Sequence, residues 1–303
     1  MPELLKERDK FVDHLLCSGH TACPGCGQSI AARLVVRAAG RNVIIINSTG
    51  CLEIFTSKYP ESAWEVPWLH SLFQNTAAVA SGVEAALRAI GRLDKVRVIA
   101  QGGDGSTFDI GFGAISGMFE RGHDILYVCY DNEAYMNTGI QRSGSTPTYA
   151  RTTTSPPGKV SLGNLRPKKD MPQIAVAHGI PYVAVASVGY PMDLDRKVRK
   201  ALSIRGPKYV QIHVPCPLGW GTEPSRTIDY ARLAVNTGLY PLYEVEDGVT
   251  MVVKIPRRVP VEEYLKGQVR FRHLLEGAGR KQEIAEIQKL ADQNIEKFGL
   301  IAE

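Results

Sequence analysis

Short apolar segments alternate with amphipathic segments along most of this chain, and that alternation restricts the fold more than any other feature of the sequence. At residues 29–39, for example, apolar side chains recur every three or four positions, as they do along a buried helix face. Strands that alternate with helices usually pair in parallel, with helices covering both faces of the sheet. We therefore predict an α/β fold with a doubly wound, mostly parallel sheet. The predicted strands are residues 43–46, 95–100, 124–130, 182–186 and 208–214.

The composition indicates a folded, globular protein. Of the 303 residues, 44% are hydrophobic and 22% are charged, which excludes disordered and collagen-like chains. The first residues, MPELLKERDKF, are charged and no long apolar run follows, so we expect neither a signal peptide nor a membrane-spanning helix, and a cytoplasmic location. The periodic pattern changes after Gly248. We predict a main domain at residues 1–248 and a C-terminal extension at 249–303 that packs on its own or a partner subunit.

Positive charge is concentrated in residues 140–210, a basic window with twelve Lys or Arg and three Asp. One interpretation is a solvated face; another is a surface for an acidic partner, either a phosphate-bearing ligand or an electron carrier. The window lacks the motifs of nucleic-acid recognition. Residues 143–169 within it have no periodic pattern, which predicts a long loop beside a site or a lid.

A glycine-rich segment, GGDG at residues 102–105, follows the second predicted strand, and Asn132 follows the third. In a doubly wound sheet, ligands bind outside the carboxyl ends of the strands, where both segments fall. Oxygen atoms of Asp104 and Asn132 suit Mg²⁺, and Gly103 and Gly105 would let the backbone approach a phosphate. An ordinary turn is the alternative for GDG alone. The combination favours a site for a metal and a phosphate.

Four of the six cysteines also belong at this edge of the sheet. Cys23 and Cys26 form a CxxC pair, but the second pair of a zinc ribbon is absent, so other cysteines must complete a metal site. Cys51 and Cys216 each follow a predicted strand. Four such thiolates suit a cubane iron-sulfur cluster, and they also suit structural zinc. Of the other two cysteines, Cys129 is predicted to be a core residue and Cys17 has no assigned role.

Together these motifs resemble the beta subunits of the 2-oxoacid:ferredoxin oxidoreductase family, in particular those of pyruvate:ferredoxin oxidoreductases. A cysteine quartet together with a thiamine diphosphate motif in one polypeptide is highly specific. The resemblance covers nearly the whole chain. The shared segments are GHTACPGCG (19–27), STGCLEIF (48–55), YPESAWEVPWLHSLFQNTAAVASGVEAAL (59–87), GGDGSTFDIGFG (102–113), DNEAYMNTG (131–139), VPCPLGW (214–220) and VEEYLKGQVRFRHL (261–274).

The resemblance implies a thiamine diphosphate-binding fold and assigns the site residues. It implies that Mg²⁺ is bound by Asp104, Asn132 and the main-chain carbonyl of Ala134. It implies that a [4Fe-4S] cluster is bound by Cys23, Cys26, Cys51 and Cys216. Further cofactor contacts are implied for Gln28, where some relatives carry Glu, and for Gly50, Gly103, Gly105, Ser106, Asn137 and Thr138.

The resemblance also implies the reaction, a coenzyme A-dependent oxidative decarboxylation of a 2-oxo acid, with pyruvate favoured, that passes electrons singly to ferredoxin. The glutamate that activates thiamine is implied to come from a partner subunit, so we assign no catalytic residue here and expect the isolated chain to be inactive. The implied partners are an alpha subunit, gamma and delta subunits, and ferredoxin, with no nucleic acid or membrane. Among the remaining polar residues, Arg142 is preferred over Glu53 and His70 for contact with a phosphate of the cofactor or of coenzyme A.

Two other classes of function fit parts of the sequence. A non-redox thiamine diphosphate enzyme half would use the same GDG site, with the cysteines as structural zinc ligands. A non-catalytic scaffold subunit would bind partners through the basic window and the C-terminal extension. Iron in the purified complex would argue against the first, and retained thiamine diphosphate and Mg²⁺ against the second.

Overall fold

One eight-stranded sheet forms the centre of the protein in a computed structural model that describes residues 14–58, 60–276 and 280–302. The charged segment from which we expected no signal peptide lies outside the described residues. The strands are β1 (Val43–Asn47), β2 (Trp68–His70), β3 (Arg97–Gly103), β4 (Ile125–Asp131), β5 (Tyr182–Ser187), β6 (Lys208–His213), β7 (Tyr243–Glu246) and β8 (Val249–Val252).

Helices connect most of these strands. In the described residues the α-helices are α1 (Gly27–Ala39), α2 (Cys51–Thr56), α3 (Thr76–Ala89), α4 (Phe112–Glu120), α5 (Met171–Ala177), α6 (Pro191–Ser203), α7 (Pro217–Trp220), α8 (Thr227–Asn236), α9 (Val261–Leu265), α10 (Arg272–Leu275) and α11 (Lys281–Phe298). A π-helical turn (Gly105–Ile110) precedes α4, and 3₁₀ turns occupy Pro224–Arg226 and Val269–Phe271.

The sheet is mostly parallel, which confirms the predicted fold class. The strand order is β2-β1-β3-β4-β6-β5-β7-β8, and the first six strands in this order pair in parallel. At one edge of the sheet, β7 pairs antiparallel with β5 and with β8. Because parallel neighbours all end at the same edge, the carboxyl ends of β1, β3, β4 and β6 lie side by side.

Each face of the sheet is covered by helices, so the sheet is doubly wound. On one face, α1 and α6 pack on the strands and contribute residues such as Val35 and Val198 to the core. On the other, α3, α4 and α8 contribute residues such as Ala80, Met118 and Ala234. Strands covered on both faces read as nearly continuous apolar runs. The central strand β4 is an example, because it is buried at every position.

The C-terminal extension packs against the main part of the chain. Buried side chains of α9, α10 and α11, including Tyr264, Leu274 and Ile287, belong to the same core cluster as α3 and α4. The boundary that we placed after Gly248 falls in the turn between β7 and β8, where Asp247 and Gly248 both have positive φ angles. The division into two domains stays a prediction.

Residues 143–169 form a long loop with several fully buried polar side chains, among them Ser143 and Ser145. In the basic window as a whole, much of the positive charge is neutralised inside the chain. At least eight of its twelve cations form ion pairs, namely Lys168, Lys169, Arg196, Lys197, Arg199, Lys200, Arg205 and Lys208.

Within the part of the chain that the structure describes, no helix has the length and apolarity to cross a membrane.

Candidate functional site

A cavity of about 640 Å³ that opens to solvent lies at the carboxyl edge of the sheet. It is bounded by the segments that follow β1, β3 and β4 and by the start of α1. Nine residues for which the resemblance implied a contact with the cofactor or its metal line it, whereas Arg142 does not. These residues are Gln28, Gly50, Gly103, Asp104, Gly105, Ser106, Asn132, Asn137 and Thr138, and Ala134 and Cys51 line it as well.

Three oxygen-bearing groups converge in this cavity: the Asp104 carboxylate, the Asn132 side-chain amide and the main-chain carbonyl of Ala134. The amide atom that faces the other two groups lies 2.9 Å from Oδ1 of Asp104 and 2.8 Å from the Ala134 oxygen. Either the amide nitrogen donates to both oxygens, or the amide oxygen faces them and a cation holds all three. In an octahedral Mg²⁺ complex, with ligand distances of about 2.1 Å, adjacent ligand oxygens lie about 3 Å apart. The observed spacing fits such an ion.

Asp104 is buried and needs a compensating charge. The main-chain N–H of Asn132 donates to its Oδ1 at 3.3 Å, and the Ser143 hydroxyl donates to its Oδ2 at 2.5 Å. Burial, reinforced by the nearby Asp131 carboxylate, raises the pKa of Asp104 well above its ordinary value. A divalent cation would reverse that effect, because it favours the ionised form. Burial therefore disfavours an ionised Asp104 without a partner, whereas a bound metal ion would stabilise the ionised carboxylate as its ligand.

The two glycines of GDG have different roles. An added Cβ at Gly103 would meet no atom within 4 Å, so its backbone is accessible from the cavity. An added Cβ at Gly105 would lie 2.4 Å from the Tyr135 ring. The missing side chain at Gly105 therefore makes room for Tyr135, while Gly105 itself lines the cavity; its contact with a phosphate stays a prediction.

Other residues reach the cavity that the sequence reasoning did not single out. Asn47, Ser48 and Thr49 lie between β1 and the predicted Gly50, and Tyr135 and Met136 lie between Ala134 and Asn137. Their position directly beside predicted residues is the signal that could have identified them. Gln28 is 5% exposed, and its Oε1 has no hydrogen-bond partner in the described structure. An unpaired buried acceptor in a cavity wall is suited to a ligand that donates a hydrogen bond.

The four predicted cluster cysteines surround one side of this region. Cys26 precedes α1, Cys51 begins α2, and Cys216 precedes α7. The pKa of the Cys51 thiol is raised to about 12, mainly by burial and also by the nearby Cys216, Cys26 and Cys23. Burial likewise raises the pKa of Cys216 to about 11, with further contributions from Cys26 and Cys23. The four thiols are therefore close enough to influence one another's ionisation.

None of the described cysteines is in a disulfide. In residues 14–58, 60–276 and 280–302, no three His, Cys, Asp or Glu side chains are grouped so that they could hold one metal ion. Main-chain N–H groups point towards two of the sulfurs: that of Gly219 donates to Cys216 Sγ at 3.3 Å, and although burial raises the pKa of Cys26, backbone hydrogen bonds from Ser29 and Gln28 oppose that rise. Such donors stabilise thiolates bound to a metal or cluster.

Three contacts join the cysteine segments to each other and to the cavity. The main-chain N–H of Gly27 donates to the Pro215 carbonyl at 3.1 Å, which brings the CxxC segment against the residue before Cys216. Met136, in the cavity wall, contacts the turn after Cys216 so closely that an added Cβ at Gly219 would lie 2.2 Å from its sulfur. Trp220 Nε1–H donates to the Asn132 carbonyl at 2.9 Å. The thiol region and the metal-binding corner of the cavity are thus adjacent.

The remaining candidate residues have partners inside the chain. Arg142 donates through Nε to Asn164 Oδ1 at 2.9 Å and is not part of the cavity lining. His70 Nε2 lies 2.8 Å from the hydroxyl of Thr49, at the cavity rim, and Glu53 Oε1 accepts from Ser57. For the two other thiols, Cys129 is fully buried in the core, as predicted, and Cys17 lies 3.2 Å from Glu65 Oε1.

Sequence reasoning also missed a buried ion network behind the cavity. Lys168 Nζ lies 2.8 Å from Asp131 Oδ2 and 3.0 Å from Glu133 Oε1. Arg270, from the C-terminal extension, pairs with the other oxygen of Glu133 at 2.8 Å and stacks on Trp220, 3.7 Å from the ring centroid. The pairing of residues so distant in sequence leaves no local pattern, so only the fold reveals it.

A known protein family matches most of the segments that line the cavity. Residues 48–212 match the family of thiamine pyrophosphate enzymes, C-terminal TPP binding domain. A solved 2-oxoglutarate:ferredoxin oxidoreductase from Magnetococcus marinus superposes with a TM-score of 0.56, covering 70% of this chain and 77% of that one. At 24% identity, this likeness shows the fold.

Relatives of known name match over nearly their full length. Pyruvate synthase subunit PorB of Methanosarcina barkeri is 57% identical over 94% of this chain and 97% of its own. Ketoisovalerate oxidoreductase subunit VorB of Pyrococcus abyssi is 45% identical over 94% of this chain and 93% of its own.

Proposed function

This chain belongs to the family of pyruvate synthase subunits PorB, within the 2-oxoacid:ferredoxin oxidoreductases, and from that membership we propose that it binds thiamine diphosphate, Mg²⁺ and a [4Fe-4S] cluster for the coenzyme A-dependent oxidation of pyruvate. The observation that carries the proposal is the contact between the two predicted sites. Met136 lines the cavity and at the same time contacts the turn after Cys216. Neighbouring positions would let electrons pass directly from the cofactor to the cluster.

The metal site of the proposal rests on Asp104, Asn132 and Ala134. Their oxygens have the spacing of adjacent ligands on an octahedral ion, and no cationic group of the described residues donates a hydrogen bond to the buried Asp104 carboxylate. Mg²⁺ keeps few protein ligands and completes its shell with phosphate oxygens. The open space at Gly103 would admit those oxygens.

The cluster site rests on Cys23, Cys26, Cys51 and Cys216. A single zinc ion needs its four ligands about 2.3 Å from one point, whereas each cysteine of a [4Fe-4S] cluster binds a different iron. The thiols influence one another's pKa and have N–H donors near two of the sulfurs, which is the setting a cluster requires. The structural zinc interpretation remains the alternative that the experiment below must exclude.

Bound thiamine diphosphate would supply the electron sink for decarboxylation, and the cluster would accept electrons one at a time. The chain itself contributes binding and orientation. The free Oε1 of Gln28 would accept a hydrogen bond from the cofactor, the open backbone at Gly103 would lie against its phosphates, and the buried wall around Asp104 would exclude water. The Thr138 hydroxyl donates its hydrogen to Gln141 Oε1 at 2.6 Å, so the hydroxyl oxygen can still accept a hydrogen bond from a neighbouring group.

The activating carboxylate is proposed to come from a partner subunit. Among the described residues that line the cavity, Asp104 is the one carboxylate, and it is committed to the metal. The cavity opens to solvent, so a second subunit can cover it and supply the missing group. We therefore assign activity to a complex with an alpha subunit and further subunits, with ferredoxin as electron acceptor. The cytoplasmic location stays a prediction.

Turnover by the purified whole complex tests the proposal. A panel of 2-oxo acids is assayed for coenzyme A-dependent viologen reduction, with Asp104→Asn and the exposed Asp94→Asn as paired variants; the Asp94 side chain is 89% exposed. We expect pyruvate to give the highest kcat/KM, Asp104→Asn to be inactive and Asp94→Asn to match the wild type. Activity with a bulkier acid such as 2-oxoisovalerate, but not with pyruvate, would contradict the substrate. A colourless complex that contains zinc and reduces no viologen would contradict the redox function.

A further inference from the structure

Glu133 lies between two proposed Mg²⁺ ligands, and its backbone adopts a conformation that most residues avoid. Its φ angle is 70°, in the left-handed region where a Cβ atom is disfavoured. The side-chain amide of the flanking Asn132 lies 2.9 Å from Oδ1 of Asp104 and 2.8 Å from the carbonyl oxygen of Ala134. A left-handed residue between them turns the chain so that both groups point to one side. The shape of the metal-binding loop therefore depends on a strained residue.

The side chain of Glu133 points away from the metal site and is anchored behind it. It is 4% exposed, with one carboxylate oxygen 3.0 Å from Lys168 Nζ and the other 2.8 Å from Arg270 Nη2. Each carboxylate oxygen therefore lies within ion-pair distance of a cation. The pair of cations thus keeps the carboxylate charged and in place.

Main-chain contacts hold the same loop from both sides. The Thr146 hydroxyl donates to the Glu133 carbonyl at 2.8 Å, and Trp220 donates to that of Asn132 at 2.9 Å. Arg270 stacks on Trp220 and also pairs with the Glu133 carboxylate. A single residue of the C-terminal extension therefore supports the contact that holds Asn132 and the contact that holds Glu133. Strained conformations persist where the surroundings over-determine them, and they cluster at binding sites.

We infer that Glu133, held by Lys168 and Arg270, is a positioning residue that fixes the 132–134 loop in the shape that binds Mg²⁺ with the diphosphate. This inference rests on the proposed function, because the ion is the one that holds the thiamine cofactor. It also gives the C-terminal extension a specific role, since Arg270 acts on the metal through Glu133 and touches neither the ion nor the substrate.

The first test compares Glu133→Ala with Glu133→Gly in the purified complex. Both variants lose the anchor, but only glycine adopts a φ of 70° without strain. The readout is the Kd for Mn²⁺, used in place of Mg²⁺ and followed by EPR with saturating thiamine diphosphate. We expect Mn²⁺ to bind about tenfold or more weakly to Glu133→Ala, and several-fold more tightly to Glu133→Gly than to Glu133→Ala. Wild-type affinity in Glu133→Ala, or no advantage for glycine, would overturn the inference.

The second test separates positioning from general stability. Arg270→Met and Lys208→Met each remove a buried cation from a buried carboxylate, but Lys208 pairs with Asp124 at the opposite edge of the sheet. We expect both variants to lower Tm, whereas only Arg270→Met should raise the Mn²⁺ Kd, by about tenfold, and Arg270→Lys should recover part of the loss. Equal Kd values for the two methionine variants would overturn the inference. If Arg270→Met does not assemble, the two Glu133 variants decide.

A failure of the proposed function would give a different result from a failure of the positioning role. In that case the wild-type complex would bind no Mn²⁺ even with thiamine diphosphate present. A wild-type complex that binds Mn²⁺ tightly, with variants that do not differ from it, would overturn only the positioning role.

Discussion

Replacing Gly27 with Ala tests how the CxxC segment is held against the segment that carries Cys216. An added Cβ at Gly27 would lie 2.7 Å from the carbonyl oxygen of Pro215 and 3.0 Å from its nitrogen. Both atoms are backbone, so no side-chain rotation can relieve the contact. The two segments must move apart, and Cys26 must move away from Cys216.

The size of the effect follows from these distances. A carbon and a carbonyl oxygen in contact lie about 3.3–3.6 Å apart, so the segments must separate by roughly 0.6–0.9 Å. Overpacking of this kind costs about 1–3 kcal/mol, and the hydrogen bond from Gly27 to Pro215 is weakened as well. With about 2–4 °C of Tm per kcal/mol in a domain of this size, we expect Tm to fall by several degrees.

The assay measures iron content, the EPR signal of the dithionite-reduced complex, and Tm. Gly82→Ala is the matched control, because Gly82 lies in α3 and an added Cβ there would meet no atom within 4 Å. The control should keep its iron and gain about 0.5–1 kcal/mol of stability from the better helix former. Gly27→Ala should lose stability and the signal of one cluster. Full iron content and an unchanged Tm in Gly27→Ala would refute the reasoning.

Three further predictions concern single side chains. Gln28→Met removes the unpaired acceptor at nearly constant volume, so the Kd for thiamine diphosphate, measured by calorimetry, should rise by about two- to tenfold; an unchanged Kd would contradict the role of Gln28. Cys51→Ala should abolish the EPR signal of one cluster, and Cys129→Ala, in the core, should keep it; the reverse result would exclude the proposed ligands. Burial alone would raise the pKa of Asp124, but Lys208 and Arg205 lower it below its ordinary value. The ionised carboxylate therefore stabilises the folded state fully above about pH 4. This stabilisation is lost at lower pH, as the carboxyl protonates. The Tm deficit of Asp124→Asn should shrink as the pH falls below about 4, and a deficit constant from pH 7 to pH 3 would contradict it.

The strands at the centre of the sheet could be predicted because burial on both faces leaves a continuous apolar run. Residues 124–130 show this, and β4 is observed at Ile125–Asp131. Strand ends were less well predicted: β3 continues through Gln101 and Gly102 to Gly103, where parallel pairing with β4 overrides the low strand propensity of glycine. The strands β2 and β8 were missed, since none of their residues is buried and no apolar run marks them, and the short strand β7 was missed as well.

Most of the cavity-lining residues could be predicted because they lie at or shortly after the end of a strand, and parallel strands bring their carboxyl ends together; Gln28, in α1, was predicted from the family resemblance. The roles of some could not. The missing side chain at Gly105 also accommodates Tyr135, a contact across thirty residues that no local pattern shows. The ion network of Lys168, Glu133 and Arg270 was invisible for the same reason. It joins three segments that only the fold brings together.

The central claim is that an iron-sulfur cluster and a thiamine diphosphate site share one edge of the sheet. The most direct measurement is anomalous diffraction at the iron absorption edge from crystals of the anaerobically purified complex. The account predicts an iron peak enclosed by Cys23, Cys26, Cys51 and Cys216, beside diphosphate density at Asp104. A peak at the zinc edge instead, or no metal among these four sulfurs, would contradict it.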